Sequence, residues 1–486
     1  MASHNIPIIA RGQVIEDYEL EFNGRHGAKF RAPDVLKHLP ALLPDREEMA
    51  RLYDLTLDDI LAYLARLIDR LAAPDNPHLE WAFALAEDFS DVPASIMRER
   101  FAITLRTLAN PAHLEAMIRT VGRENLDGWN QGTRPSGRIS HVRAMGVPTV
   151  HAIAGNGPSV SIISFVNNAL IRGYALVKLP SNEPALSVAV ARTAIDMDPD
   201  HPLSKSFSVA YWRGGDERVE SRIYNPRHFE KIAAWGGFAT LKHLAGYIRP
   251  GLELVAFDPK ISRAILGRET LQSDVAMREA AVRLAADVGY NNQNSCASCR
   301  VAYIVSDSSP AALKALERFG QYVYDEIQML PVGLSSAVPY PDAKLAAQVD
   351  GLAMLDDEFR VIGGDRRGSV IVSLNGEQVD FADDLKDRIL NIVPVADYRE
   401  IFRYITRDVQ SVGVYPEYVR DEVRTPLALR GAQRITSLGF MNQTDAATNP
   451  HDGMETLRRL TTWIVAEDGM TNEASAPWRA RLTELN

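Results

Sequence analysis

Both cysteines of the chain lie in one short polar segment, where a thiol can act as a nucleophile. Two residues separate Cys296 from Cys299, and the amide-rich residues 291–294 precede them. A structural cysteine more often sits alone in an apolar run. A thiolate on a turn, with its pKa lowered by nearby backbone N–H groups or cations, could attack a carbonyl carbon and form a covalent intermediate.

The spacing alone leaves other interpretations open. One is a redox Cys-x-x-Cys pair, which is unusual after a polar approach deep inside a large chain. Half of a zinc site is another, but the sequence has no second cysteine pair or close histidine pair to complete it. The last is that both thiols are simply packed. The pattern favours the nucleophile and the packed thiols about equally, and it predicts no metal.

The elements that must position this segment alternate between strands and helices. Residues 147–154 form an apolar run that ends in Gly155-Asn156-Gly157-Pro158, and a helical stretch (160–172) and a second apolar run (175–179) follow. This order predicts a β-α-β unit and a parallel sheet, so the chain belongs to the α/β class. Further strands are predicted at residues 206–212, 231–234, 252–257 and 301–305, and a helix at 270–288.

Both ends of the chain are predicted to be mainly helical. The clearest helix has apolar side chains at helical spacing over residues 57–71. The pair Thr56 and Asp59 predicts a capping box at its N-terminus. Residues 454–465 have the spacing of an amphipathic helix, which a polar tail follows.

Composition limits the kind of protein. Hydrophobic residues make up 46% of the chain, and the net charge of -10 is unfavourable for binding nucleic acid. No apolar run is long enough to span a membrane, and the first residues lack the features of a signal peptide. Two cysteines provide no disulfide framework, so we expect a cytoplasmic protein.

Several motifs resemble those of the aldehyde dehydrogenase superfamily. The run from Cys296 to Arg300 is similar to its nucleophile segment, and residues 150–158 are similar to the turn that carries its oxyanion asparagine. Three C-terminal segments resemble the LuxC-type fatty-acyl reductases more specifically: residues 391–395, 410–413 and 451–453.

This resemblance implies an aldehyde-dehydrogenase-like fold of two Rossmann-like parallel-sheet lobes, an N-terminal helical region and an oligomerisation hairpin. The implied divisions are a helical region packed on the cofactor lobe (1–125), the hairpin (126–145), a nicotinamide-cofactor domain (146–268), a catalytic domain (269–445), and a C-terminal helix and tail (446–486).

The resemblance also implies roles for catalytic residues. Cys296 would attack a thioester carbonyl, and Asn156 with the backbone N–H of Cys296 would bind the oxyanion. Glu253 is the best match to the superfamily's glutamate base, although the Gly-Gly-Lys that follows it there is missing here. Without the resemblance, Asn156 could be an ordinary turn residue and Glu253 a solvated strand residue.

A cofactor site is implied in the same way. Lys178 and Ser181 resemble the adenosine-ribose segment, and NAD-preferring relatives often have Glu in place of Ser181. NADPH is therefore expected, with NADH as the alternative. Gly236 and Gly237 could direct N–H groups at a pyrophosphate, or they could form a plain strand-to-helix turn.

The function implied is reduction of an acyl-CoA, or another acyl thioester, to an aldehyde. Two alternatives stay open: aldehyde oxidation with Glu253 activating water, and a non-catalytic subunit that binds acyl groups or scaffolds a partner. The family further implies an acyl-activating partner protein and a homo-oligomer. Cys299 is expected to be dispensable.

Overall fold

Two seven-stranded sheets form the body of the protein in a computed structural model that describes residues 4–135, 139–307, 309–443 and 450–467. The first sheet has the order Glu253–Phe257, Lys231–Trp235, Pro148–Ala152, Tyr174–Lys178, Phe207–Ala210, Ile8–Ala10 and Gln13–Ile15. The second has the order Phe359–Gly363, Ser369–Ser373, Ile389–Val395, Cys299–Val305, Ile261–Leu266, Val409–Tyr415 and Arg434–Ser437. The α/β expectation is therefore confirmed.

Most strands of both sheets are parallel and nearly continuous in apolar residues, as expected where helices cover both faces. The predicted β-α-β unit is present as strand Pro148–Ala152, helix Ser159–Ile171 and strand Tyr174–Lys178, with Val150 paired to Leu176. The longer helices beside the sheets are Leu186–Met197, Phe238–Ala245, Asp274–Gly289, Pro310–Met329, Ala343–Leu352 and Glu417–Leu429.

The N-terminal region combines helices with strands that were not predicted. Its main helices are Leu57–Ala72, Pro77–Phe89, Ala94–Leu108 and Pro111–Arg119. The capping box is present, because Thr56 Oγ1 accepts from the Asp59 N–H and Asp59 Oδ2 accepts from the Thr56 N–H. Ile8–Ala10 pairs antiparallel with Phe207–Ala210, so residues before the first helix extend the first sheet.

The helix predicted over residues 454–465 is wrong. Only Thr456–Arg459 is helical, and Thr461–Glu467 is a strand that pairs antiparallel with Ile139–Gly146. A short apolar run has no decisive period, and its β-branched and aromatic side chains favour a strand once a partner strand is available. Asn130–Thr133 completes this third sheet. Residues 136–138 of the predicted hairpin and 468–486 of the predicted tail lie outside the described residues.

The boundary predicted between residues 268 and 269 is also displaced. Strand Ile261–Leu266 lies inside the second sheet, between Cys299–Val305 and Val409–Tyr415. The chain crosses from the first sheet to the second around Asp258-Pro259. This dipeptide favours a turn, because the proline ring fixes the backbone φ angle.

Candidate active site

Cys296 follows a tightly held turn at the amino edge of the second sheet. Helix Asp274–Gly289 leads into Tyr290–Gln293, in which Asn291, Asn292 and Gln293 have left-handed φ values of 56°, 48° and 62°. Such a run of non-glycine residues is costly and is kept where the surroundings enforce it. The Gln293 side chain supplies that constraint, because it donates to Cys299 O and to Ile389 O, each at 2.8 Å.

Asn156 comes from the first sheet and meets this segment. It lies in the turn after strand Pro148–Ala152, at the carboxyl edge of that sheet. Its Nδ2 donates to Asn294 O at 3.1 Å, and Asn291 Nδ2 approaches Asn156 O at 3.5 Å. The structure therefore places an amide donor beside the turn that carries Cys296.

The thiol of Cys296 is half-buried, and its surroundings differ from the sequence expectation. Burial raises its pKa first of all, and the negative charge of Asp452 raises it further. The Gln410 side chain, the Arg100 charge and the Ala297 N–H act in the opposite direction without overcoming these effects. The expected lowering of the pKa is therefore wrong, because neither the burial of the thiol nor the Asp452 carboxylate beside it could be seen in the local sequence.

Three residues of this site were assigned no role from the sequence. Gln410 and Asp452 lie in two of the segments that resemble LuxC-type enzymes. The sequence therefore identified these segments, but it did not show that they lie near Cys296. Arg100 belongs to helix Ala94–Leu108, and its guanidinium lies over the Tyr290 ring with Cζ 4.7 Å from the ring centroid. Nothing in the local sequence connects that helix with the cysteine.

Cys299 has a structural environment. Its side chain is buried, and Sγ donates to Val301 O at 3.3 Å. Burial, followed by the Asp287 charge, raises the pKa of this thiol well above its usual range. Both cysteines are free thiols. Within the described ranges, no group of three or more His, Cys, Asp or Glu side chains could hold a metal ion.

Glu253 is not brought to the site. It is the first residue of strand Glu253–Phe257, at the amino edge of the first sheet, and its side chain is 62% exposed. Its carboxylate pairs with Lys231 Nζ at 3.2 Å. The carboxyl end of the same strand is four residues away, or about 13 Å at the usual rise per residue. This position does not suit a base for Cys296.

The predicted cofactor residues do lie along the carboxyl edge of the first sheet. Lys178 ends its strand, and its Nζ is 5.6 Å from the centroid of the Trp212 ring and 6.0 Å from that of Tyr211. Burial lowers the pKa of Lys178 to about 8, while the charge of Glu220 opposes that change. Ser181 is half-buried on the turn that follows.

Gly236 and Gly237 follow strand Lys231–Trp235 at the start of helix Phe238–Ala245. Space in front of Gly237 is open, because a Cβ there would meet no atom within 4 Å. Lys178 places a cation at one strand end, and the helix after Gly237 presents unblocked N–H groups at another. Both groups suit a dinucleotide phosphate. Crevices at the carboxyl edge of parallel sheets commonly bind such ligands. The donor set therefore fits the phosphates and ribose of a dinucleotide.

The fold is that of the aldehyde dehydrogenases. Aldehyde dehydrogenase 21 from Physcomitrella patens, in complex with succinate, superposes with a TM-score of 0.71 at 10% identity, covering 98% of this chain and 100% of that chain. An NADP-dependent glyceraldehyde-3-phosphate dehydrogenase from Bacillus halodurans C-125, complexed with NADP, gives 0.68 at 11% identity, covering 96% and 100%.

The sequence narrows this class to one family. Residues 52–463 match the family described as acyl-CoA reductase (LuxC), and the chain belongs to that family. The long-chain acyl-protein thioester reductase of Aliivibrio fischeri is 28% identical over 322 residues, covering 66% of this chain and 64% of the relative. That of Vibrio harveyi is 24% identical over 472 residues, covering 95% and 93%. The first match thus spans slightly less than two thirds of the relative. None of the described helices is long and apolar enough to cross a membrane.

Proposed function

We propose that this chain reduces an acyl thioester to an aldehyde with NADPH, through an acyl group carried on Cys296. The observation that carries the proposal is the contact between Asn156 and the turn that holds Cys296, with Nδ2 3.1 Å from Asn294 O. The family description and the names of the relatives, acyl-CoA reductase and long-chain acyl-protein thioester reductase, support the same reaction.

Cys296 supplies the covalent step. Its sulfur attacks the thioester carbonyl, the carbonyl oxygen becomes an oxyanion, and the thiolate of the donor leaves as the acyl-enzyme forms. Asn156 Nδ2 and the Cys296 N–H are the donors for that oxyanion, and each such donor lowers the barrier by about 3–4 kcal/mol.

The first sheet would hold the cofactor. Lys178 and Ser181 would bind the adenosine ribose, and the N–H groups after Gly236 and Gly237 would bind the pyrophosphate. NADPH is preferred to NADH because the small hydroxyl of Ser181 beside a lysine leaves room and charge for a 2′-phosphate. When bound, the nicotinamide supplies the hydride that reduces the acyl carbon.

The position of Glu253 bears on direction. Aldehyde oxidation needs a base that activates water at the acyl-enzyme, and the residue suggested for it pairs with Lys231 at the far edge of the sheet. Oxidation is therefore the less favoured reaction. Acyl-CoA and acyl-protein thioesters both suit Cys296, and the second would require an acyl-activating partner protein. A cytoplasmic location and a homo-oligomer complete the proposal.

The experiment measures NADPH consumption, aldehyde and free thiol with a panel of acyl-CoAs, using wild type, Cys296→Ala, Cys299→Ala and Glu253→Gln. We expect turnover in wild type, in Cys299→Ala and in Glu253→Gln, and none in Cys296→Ala, which still binds NADPH. Acid production from an aldehyde and NADP⁺ that Glu253→Gln abolishes would support oxidation instead. Failure of wild type to bind NADPH would favour the scaffold function and overturn the proposal.

A further inference from the structure

A buried carboxylate close to the Cys296 segment has no part in the mechanism described so far. Gln410 Nε2 donates to Asp452 Oδ1 at 2.7 Å. Both side chains act on the pKa of the Cys296 thiol, which Asp452 raises and Gln410 lowers. The amide that holds the carboxylate therefore lies in the surroundings of the thiol.

Irregular strand pairing places Gln410 at this point. Ile261 pairs with Val409 and Ser262 with Ser411, so Gln410 is the extra residue of a bulge in strand Val409–Tyr415. Bulges redirect side chains and are common beside active sites. The bulge is anchored to the cysteine, because Ser262 Oγ donates to Cys296 O at 2.8 Å and accepts from the Ser411 N–H at 3.1 Å.

Asp452 is buried and has a left-handed backbone conformation. Its side chain is 5% exposed, and its backbone is left-handed, with a φ of 50°. A buried carboxylate without a strong cationic partner is costly, and among the described residues the nearest basic nitrogen is His451 Nε2, at 3.9 Å. The His451 ring faces Phe257 at the carboxyl edge of the first sheet, with centroids 5.7 Å apart. The carboxylate thus lies where the two sheets meet.

We propose that Asp452 is the base that accepts the Cys296 thiol proton during attack on the thioester and returns it to the departing thiolate, with Gln410 as the positioning residue. The proposal rests on the reductase function. As the sulfur–carbon bond forms, the S–H proton moves to the Asp452 carboxylate. When the bond from the acyl carbon to the donor sulfur breaks, the same proton moves to that sulfur, so the acyl transfer is balanced.

Several other charged or titratable groups face the thiol and enter its pH dependence. Arg100, beside Tyr290, lowers the pKa of the thiol, while burial and Asp452 raise it. Arg300 is the extra residue of a second bulge, in strand Cys299–Val305. Burial lowers the pKa of Arg300, while the charges of Asp383, Asp384 and Cys296 raise it. Removing the Asp452 charge should therefore make the free thiol more acidic while it removes the base for catalysis.

The test compares two rates in the full-length protein. The first is alkylation of Cys296 by iodoacetamide across pH, in a Cys299→Ala background so that one thiol reacts. The second is the burst of free coenzyme A that accompanies acylation by an acyl-CoA, without NADPH. The variants are Asp452→Asn, Asp452→Glu and Gln410→Leu, with Asp408→Asn as a control that removes an exposed carboxylate near the same strand.

We expect Asp452→Asn to move the alkylation midpoint to lower pH and to slow the acylation burst by about 10²–10⁴-fold. Gln410→Leu should move the midpoint to higher pH and also slow the burst, and Asp452→Glu should restore the wild-type midpoint. A midpoint that Asp452→Asn leaves unchanged, or a burst no slower than that of Asp408→Asn, would overturn the proposal. If Asp452→Asn does not fold, Gln410→Leu provides the test. An alkylation midpoint that does not move to higher pH in that variant would overturn the proposal.

The two proposals fail in different ways. If wild type forms no acyl-enzyme, the reductase function is wrong, whereas alkylation still reports on Asp452. If wild type turns over normally and the Asp452 variants match it in both rates, only the role of Asp452 is lost.

Discussion

The side-chain amide of Asn156 donates to the backbone carbonyl of Asn294 at 3.1 Å, and this contact joins the carboxyl edge of one sheet to the amino edge of the other. One N–H of the amide is used in that bond, and the second is available for the substrate. The contact fixes the amide close to Cys296 before any substrate binds, which is the preorganisation that oxyanion stabilisation requires.

Asn156→Ala should therefore lower kcat by about 10²–10³-fold, with little change in the Kd for NADPH. Steady-state kinetics with an acyl-CoA substrate and a separate cofactor titration would check this. Asn375→Ala, which removes an exposed amide elsewhere on the second lobe, is the control. A cofactor affinity that falls as much as kcat would mean that Asn156 shapes the lobe and does not bind the oxyanion.

The lowered pKa of Lys178 predicts that cofactor binding depends on pH. Burial lowers the pKa of its ammonium to about 8, so the group is charged below that pH and loses its charge as the pH rises through it. A charged lysine makes the stronger contact with ribose and phosphate oxygens. The Kd for NADPH should thus rise above pH 8 in wild type.

Fluorescence titration of NADPH from pH 6.5 to 9.5 would follow this change. Lys178→Arg keeps its charge throughout and should flatten the profile, while Lys178→Met should bind weakly at every pH. Parallel profiles for wild type and Lys178→Arg would contradict the assignment.

Arg100 predicts an effect of the N-terminal region on the active site. Its charge lowers the pKa of the Cys296 thiol. Arg100→Met should therefore leave less thiolate and slow iodoacetamide labelling at pH 8 relative to wild type. Arg98→Met is the matched control, because Arg98 lies on the same helix with its side chain 48% exposed. Equal labelling rates in the two variants would count against the prediction.

The buried contacts of Arg172 connect the N-terminal region to the first lobe, and we expect them to contribute to the free energy of unfolding. Its side chain is 1% exposed, donates to Leu55 O and Leu126 O at 2.8 Å, and pairs with Asp127 at 2.9 Å. Removing one partner of a buried charged network typically costs about 3–5 kcal/mol. Arg172→Met should therefore lower the urea midpoint clearly, as measured by circular dichroism.

Arg123→Met provides the comparison for Arg172. Arg123 pairs with Asp58 and Glu115 at the surface, where such pairs contribute about 0–1 kcal/mol. Equal urea midpoints for the two variants would show that Arg172 does not hold the region in place.

The local features of this protein were predictable because they depend on residues close together in the chain. The apolar runs and the turn around Asn156 specified the β-α-β unit, and the two cysteines in a polar segment identified the nucleophile candidate. The capping box of Thr56 and Asp59 is equally local. Each is decided by backbone preferences and periodicity within some ten to thirty residues.

Other features depended on long-range packing. The match of Glu253 to a short motif gave no information about which end of a strand would face the cysteine, and sheet topology placed it at the far edge. The segment at residues 461–467 became a strand because Ile139–Gly146 was available to pair with it.

The electrostatics of the thiol were decided by tertiary structure alone. Arg100, Gln410 and Asp452 come from three distant parts of the chain, and they meet at Cys296 because a helix, a bulged strand and a left-handed turn pack against one edge of the second sheet. A sequence determines which groups can titrate. The distances and burial that set their pKa values exist only after folding, since both depend on residues that the chain brings together from far apart.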